Sequence, residues 1–172
     1  VTGFYAYSPD GSSRFIEGPI FADVVLADEL NRTTPRTQAA LLEAMQEKQV
    51  TVDKNTYPLS QHFMVIATQV ESGSEGTYSI TDVQMDRFIL RALSKYPSKE
   101  EEKQIITNID SIDEPDVNVI TTLDEIRELQ MLAKRVEVSP DIAEYIVSFI
   151  ELLRQDNDIL SGPSSRCSIA LY

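Results

Sequence analysis

The 172-residue chain carries 15 Lys and Arg residues against 28 Asp and Glu residues, a formal net charge of -13. This charge disfavours non-specific binding to nucleic acid or to an anionic membrane, because phosphate groups repel an acidic surface. A single cysteine excludes an internal disulfide, and no apolar run approaches the roughly 20 residues of a membrane-spanning helix. We therefore expect a cytoplasmic protein with no membrane insertion and no nucleic-acid partner.

Residues 1–95 predict alternating strands and helices. A β-ribbon is expected over residues 1–20, where apolar residues flank the turn formers of residues 8–11. The run Val24-Val25-Leu26-Ala27 lacks polar alternation, which is typical of a strand buried on both faces of a parallel sheet. Residues 63–67 show the same pattern and predict a second buried strand.

The other segments of residues 1–95 predict two helices, a hairpin and a third strand. Thr34 and Pro35 suit the start of a helix that continues over residues 37–48, since threonine caps helices and proline fits the first turn. Residues 49–59 alternate like a small hairpin. A short helix is expected at residues 81–87, followed by a third short strand at residues 88–93.

Residues 96–172 predict helices only, so we place a domain boundary at Tyr96-Pro97-Ser98. Ser98 and Glu101 have the spacing of a capping box. Further helices are expected over residues 122–134 and 139–155. The second of these carries an apolar stripe at helical spacing that is expected to form the core of this part: Ile142, Tyr145, Ile146 and Phe149.

Two adjacent acids, Asp28 and Glu29, follow the first predicted buried strand. In a parallel sheet the carboxyl ends of the strands form the ligand crevice. A carboxylate there can hold Mg2+, mostly through water, and a second carboxylate can polarise an attacking water molecule. The run Val24-Val25-Leu26-Ala27-Asp28-Glu29 also fits a strand that simply ends in two solvated acids.

Several separated blocks, taken in order and spacing, resemble the MoxR family of AAA+ ATPases, and the resemblance runs from about Gly3 to Leu171. The blocks are Glu29-Leu30-Asn31-Arg32, the helix of residues 37–47, Gln49-Val50-Thr51-Val52, Val65-Ile66-Ala67-Thr68-Gln69, Glu75-Gly76-Thr77-Tyr78, Gln84-Met85-Asp86-Arg87-Phe88 and Gly162-Pro163-Ser164-Ser165-Arg166.

This resemblance implies a fold and a pair of cofactors. Residues 1–95 would be the C-terminal portion of a P-loop αβα parallel-sheet domain, and residues 96–172 an α-helical lid. The cofactors would be ATP and Mg2+. Asp28 would coordinate the metal and Glu29 would activate the lytic water, as the two acids of a Walker B motif.

The resemblance also implies roles for two arginines. Arg87 matches the arginine finger that reaches the nucleotide of a neighbouring subunit, and Arg166 matches the sensor 2 arginine of the lid. A planar, always charged guanidinium suits both tasks. Read without the family, Arg87 could pair with Asp82 or Asp86 on the surface, and Arg166 could cap a helix end.

The chain departs from the family pattern in two places. Val70 stands where the family usually has the sensor 1 asparagine, which leaves Gln69 or Thr68 as candidates to contact the nucleotide. No Gly-x-x-x-x-Gly-Lys-Ser/Thr loop occurs in this sequence, although the family places one upstream of the position that matches Val1. We therefore expect this chain alone to bind ATP poorly and to be inactive.

By resemblance, the intact protein would hydrolyse ATP across the subunit interfaces of a hexamer and remodel client proteins, often proteins with von Willebrand A domains. The ribbon of residues 1–20 and the hairpin of residues 49–59 resemble the two insertions that line the ring face or pore in relatives; the residues alone fit edge hairpins that close the sheet equally well. One alternative is a non-catalytic assembly module that natively lacks the phosphate loop. Another is a DNA-directed AAA+ machine, which the acidic charge disfavours.

Overall fold

A computed structural model describes residues 1–70 and 75–172. The chain forms two compact units. Unit 1 comprises Val1–Ile89 with Ser164–Arg166, and unit 2 comprises Leu90–Pro163 with Cys167–Tyr172. Unit 1 contains every strand found among the described residues, whereas the long helices after residue 98 belong to unit 2.

The strands are β1 Gly3–Tyr7, β2 Ser13–Glu17, β3 Val24–Ala27, β4 Gln49–Val52, β5 Asn55–Pro58 and β6 Met64–Ala67. The helices are α1 Pro35–Glu47, α2 Asp82–Met85, α3 Lys99–Thr107, α4 Ile109–Asp113, α5 Leu123–Ala133, α6 Pro140–Gln155 and α7 Ser165–Leu171, with a short 3-10 helix at Leu30–Arg32. Strands pair as β1 with β2 and β4 with β5, both antiparallel, and as β3 with β6, parallel. The predicted ribbon, hairpin and parallel strand pair are confirmed.

The face of the parallel pair that carries Val24, Leu26, Met64 and Ile66 is exposed, so the expectation of burial on both faces is wrong for this chain. Leu26 and Ile66 are cross-strand partners and are 67% and 49% exposed. The opposite face packs on the core through Val25 and Val65. A two-stranded sheet buries both faces only if elements cover both, and the described residues cover one.

Helix α1 closes the core of unit 1. Thr34 caps it by accepting a hydrogen bond from the Thr37 N–H, and Pro35 occupies the first turn, as predicted. The helix buries Leu41 and Ala44. They belong to a core cluster whose other buried members are Ile20, Leu30, Val50, Leu59 and Phe63.

Aromatic contacts join the ribbon β1–β2 to the hairpin β4–β5. The rings of Phe15 and Tyr57 stack with centroids 4.1 Å apart. The hydroxyls of Tyr5 and Tyr57 share a hydrogen bond of 2.5 Å, and the Asn55 amide donates to the Tyr5 oxygen. The two insertion-like segments are therefore held together inside unit 1.

In unit 2, the helix starts agree with the sequence. Ser98 and Glu101 form the predicted capping box of α3, Thr122 and Glu125 form another at α5, and Ser139 caps α6. Among the described residues, none of the helices combines the length and the apolar character that crossing a membrane requires.

Two expectations after residue 87 are wrong. Residues 88–93 form no strand, because none of the strands in the described part of the chain pairs with this segment, and Ile89 and Leu90 are 84% and 87% exposed. The apolar stripe of α6 does not form a core: Tyr145 is 69% exposed, and Ile150, outside the stripe, is the buried residue of the helix. Helical spacing identified an apolar face but not what covers it.

The tyrosine pair gives a testable prediction. The hydrogen bond from Tyr5, followed by burial, raises the pKa of Tyr57 to about 12 from an ordinary value of 10.0. The neutral hydroxyl is favoured in the folded state, so this contribution to stability is complete below pH 10 and is lost as the pH rises toward 12. We expect Tyr5→Phe to return the Tyr57 pKa toward its ordinary value, as measured by NMR titration of the tyrosine ring carbons.

Tyr7→Phe is the matched control, because Tyr7 lies in the same strand and is 77% exposed. It should leave the Tyr57 titration unchanged. A Tyr57 pKa that stays near 12 in Tyr5→Phe would contradict the assigned contact.

Candidate functional site

The two predicted acids lie where β3 and β6 end side by side. β3 ends at Ala27, so Asp28 and Glu29 follow it directly, and Thr68 follows β6 at the same edge. The Thr68 hydroxyl donates to the Asp28 carboxylate oxygen Oδ1 at 2.5 Å and accepts from the Glu29 N–H at 2.7 Å. One hydroxyl group therefore contacts both members of the acid pair.

Glu29 has a left-handed backbone, with φ 48° and ψ 49°. For a residue with a side chain this conformation costs roughly 1–2 kcal/mol. The contacts that hold it are the bond to the Thr68 hydroxyl and a backbone bond of 2.9 Å from the Leu30 N–H to the Thr68 carbonyl. Leu30 itself is 3% exposed and belongs to the core, so burial also holds the turn in place.

The Glu29 side chain remains open to solvent. Its Oε2 lies 3.3 Å from Arg32 Nε, and the two side chains are 42% and 52% exposed. An exposed ion pair of this kind contributes at most about 1 kcal/mol. Glu29 can therefore exchange its arginine partner for a water molecule at low cost.

Asn31 connects the acid loop to position 70. Its side chain is fully buried, donates from Nδ2 to the Val70 carbonyl at 3.0 Å and accepts at Oδ1 from the Val70 N–H at 3.1 Å. Its carbonyl accepts from the Tyr78 N–H at 2.7 Å. Both backbone polar groups of Val70 are thus satisfied by one amide. Sequence reasoning did not select Asn31, although a polar residue directly after a core leucine was the available signal.

Gln38 of α1 contacts the segment that follows the acid pair. It is 3% exposed, and its Nε2 lies within hydrogen-bonding distance of the Leu30 and Thr33 carbonyls, at 3.4 and 3.2 Å. A buried amide must find such partners, because an unpaired one costs free energy. The short 3-10 helix after the acid pair is therefore fixed from the helix side as well.

The two predicted arginines meet near Asp86. The Asp86 carboxylate accepts from the Ser164 hydroxyl at 2.7 and 2.8 Å and from Arg166 Nη1 at 3.2 Å. The Ser164 hydroxyl, followed by the Arg166 guanidinium, lowers the pKa of Asp86, with Arg87 adding a weaker effect through space. Asp86 is therefore ionised at neutral pH, and its ion pair is with Arg166.

Arg87 directly follows Asp86 in the chain. Its Nε atom is buried and finds no hydrogen-bond partner among the described residues. Arg87 and Arg166 are thus brought to one carboxylate, while Asp28 and Glu29 are brought to one hydroxyl. Gln69, the other predicted nucleotide contact, is exposed beside Thr68.

The acid edge fits a weakly held Mg2+ ion. No group of three or more ligating His, Cys, Asp or Glu side chains occurs in the parts of the chain that are described. Mg2+ does not need one, because it keeps several waters and binds through one or two carboxylates plus phosphate oxygens. The Asp28 carboxylate is an exposed, hard oxygen ligand of the required kind.

The chain is similar to several known proteins. The family model described as "ATPase family associated with various cellular activities (AAA)" matches residues 1–90. The uncharacterized protein YeaC of Bacillus subtilis is 40% identical over 178 residues, which cover 99% of this chain and 54% of YeaC. The protein Chaperone MoxR1 of Mycobacterium tuberculosis is 34% identical over 163 residues, covering 90% of this chain and 43% of MoxR1.

A crystal structure of a proposed ATPase from Cytophaga hutchinsonii superposes with a TM-score of 0.79 at 32% identity, covering 98% of this chain and 54% of that one. The chain thus spans about half the length of the relatives it matches. The predicted fold class, an α/β part with a parallel sheet together with a helical part, is confirmed. The chain belongs to the MoxR family of AAA+ ATPases.

Proposed function

We propose that this chain supplies the acid pair and two arginines of a site that hydrolyses ATP to ADP and phosphate. The observation that carries the proposal is the joint contact of Asp28 and Glu29 with Thr68 at the carboxyl edge of the parallel strands. Asp28 holds Mg2+, which neutralises phosphate charge when bound. Glu29, solvent-exposed and weakly paired, orients and deprotonates the attacking water.

Arg87 is the cation supplied to the nucleotide of a neighbouring subunit, and Arg166 is a second nucleotide-binding arginine. Support comes from Asp86, which accepts a hydrogen bond from the Arg166 guanidinium and whose pKa is also lowered by the charge of Arg87. Phosphoryl oxygens, like carboxylate oxygens, can bind a guanidinium group in bidentate fashion. Gln69 lies at the same edge as Asp28 and is the side chain we assign to a polar nucleotide contact.

The proposed organisation follows the sequence division. Residues 1–95 are the C-terminal portion of the nucleotide-binding domain, and residues 96–172 are the lid. The full assembly is a hexamer that remodels client proteins, and the name Chaperone MoxR1 of one relative supports this. Proteins with von Willebrand A domains are the first client class to test.

A second candidate function is a non-catalytic assembly module. The observation that favours it is the saturation of the Val70 backbone by Asn31, which leaves neither a side-chain amide nor a free backbone donor at this position to meet a phosphate. Partner binding without ATP turnover in the full-length gene product would support this candidate over the first.

The chain of 172 residues alone should show no ATPase activity above background, because it has no Gly-Lys-Ser/Thr loop to grip the phosphates. Phosphate release at saturating ATP and Mg2+ measures this. Robust turnover by the chain alone would contradict the proposed need for that loop.

In the full-length gene product, Glu29→Gln should retain nucleotide binding and lower kcat by about 100-fold or more, since it removes a general base but keeps the side-chain shape. Binding of a fluorescent ATP analogue and phosphate release are measured side by side. Glu47→Gln, an exposed acid at the end of α1, is the control and should change neither. Equal loss of binding and turnover in Glu29→Gln would make Glu29 a structural residue.

Arg87→Ala should abolish turnover by itself and recover part of it when mixed with Glu29→Gln subunits. Each lesion affects a different side of a shared interface, so a mixed ring contains some intact sites. Phosphate release is measured across a series of mixing ratios. No recovery at any ratio would count against an action of Arg87 on a neighbouring subunit.

A further inference from the structure

We infer that Thr68 is the positioning residue of the acid pair, so that its hydroxyl sets the orientation of Asp28 and the backbone turn of Glu29 for catalysis. The inference rests on the proposed function and deepens it. Two hydrogen bonds from one oxygen carry it, one to the Asp28 carboxylate and one from the Glu29 N–H.

The direction of these bonds is fixed by their partners. A threonine hydroxyl has one proton to donate and lone pairs to accept. The Glu29 N–H can only donate, so it takes a lone pair of the Thr68 oxygen. An ionised Asp28 carboxylate can only accept, so the hydroxyl proton points to it. The hydroxyl therefore holds one defined orientation.

This arrangement gives the two carboxylate oxygens of Asp28 different environments. Oδ1 receives the Thr68 proton, and no described residue donates a hydrogen bond to Oδ2. A hydrogen bond to a charged oxygen is stronger than one between neutral groups and restricts rotation of the carboxylate. Oδ2 is thus held in a fixed direction and would be available to a metal ion or its bound water.

The Thr68 side chain is not required to hold the strands together. Its own N–H donates to the Ala27 carbonyl at 3.1 Å, and its carbonyl accepts from the Leu30 N–H at 2.9 Å. These backbone bonds continue the β3–β6 pairing without the hydroxyl. The side chain is also exposed, so it adds little to core packing. Removing the hydroxyl alone should therefore spare the fold.

The two residues after Thr68, Gln69 and Val70, differ from it in their hydrogen bonds. Val70 has both backbone groups bound to Asn31. Gln69 is exposed, and no hydrogen bond joins it to another described residue. Thr68 is the residue after β6 whose side chain bonds to Asp28 and Glu29. It therefore connects β6 to the acid pair even though residue 70 is a valine and has no side-chain amide.

The first test measures the contact itself in the full-length gene product, using hydrogen–deuterium exchange resolved to single residues. Thr68→Val keeps the side-chain shape and removes the hydroxyl. We expect the Glu29 amide to exchange about three- to tenfold faster, as the loss of one hydrogen bond allows, and the Leu30 amide to be unchanged. Thr68→Ser keeps the hydroxyl and should restore protection of Glu29. Unchanged Glu29 exchange in Thr68→Val would overturn the inference.

The second test measures the consequence. Thr68→Val should lower kcat by about tenfold or more, as loss of a charge-assisted bond predicts, and should raise the Mg2+ concentration for half-maximal turnover. Thr68→Ser should stay within about twofold of the parent in both. If both variants are equally impaired, the methyl group rather than the hydroxyl matters, and the inference is wrong.

The two proposals fail differently. If Glu29→Gln abolishes turnover while Thr68→Val has parental kcat and Mg2+ dependence, the positioning role is wrong and the proposed function stands. If the full-length gene product shows no turnover at all, the proposed function is wrong, and exchange at the Glu29 amide still decides whether Thr68 holds the turn.

Discussion

The left-handed turn at Glu29 is the constraint on which the candidate site depends. The turn sends Leu30 into the core and leaves both acids at the sheet edge. The cost of the turn is met by burial of Leu30 and by bonds to Thr68 on the neighbouring strand. The same three residues, Glu29, Leu30 and Thr68, thus set both the core packing and the site geometry.

Charge at the site is organised in weak, exchangeable pairs. Glu29 pairs with Arg32, and Asp86 pairs with Arg166, both with side chains that remain substantially exposed. In a chain with a net charge of -13, such pairs hold guanidinium groups beside carboxylates without burying them. A phosphate group can therefore take over an arginine from a carboxylate, because little desolvation has been spent on the original pair.

The sequence predicted the features that depend on local rules. Thr34, Ser98 and Thr122 begin helices as their capping patterns indicate, and the position of Asp28 and Glu29 follows from the apolar run before them. It did not predict contacts between distant segments. Thr68 and Asn31 became identifiable only when the strands were paired, and residues 88–93 read as a strand because composition does not reveal whether a pairing partner exists. The exposed stripe of α6 shows the same limit for burial.

The pairing of Asn31 with the backbone of Val70 has a consequence for how this position can vary. The amide reproduces the two bonds that a neighbouring strand would make, so the path of the chain at residue 70 is secured without its own side chain. Folding therefore places little demand on which residue stands there. A valine in place of an asparagine at position 70 is therefore compatible with the same backbone path.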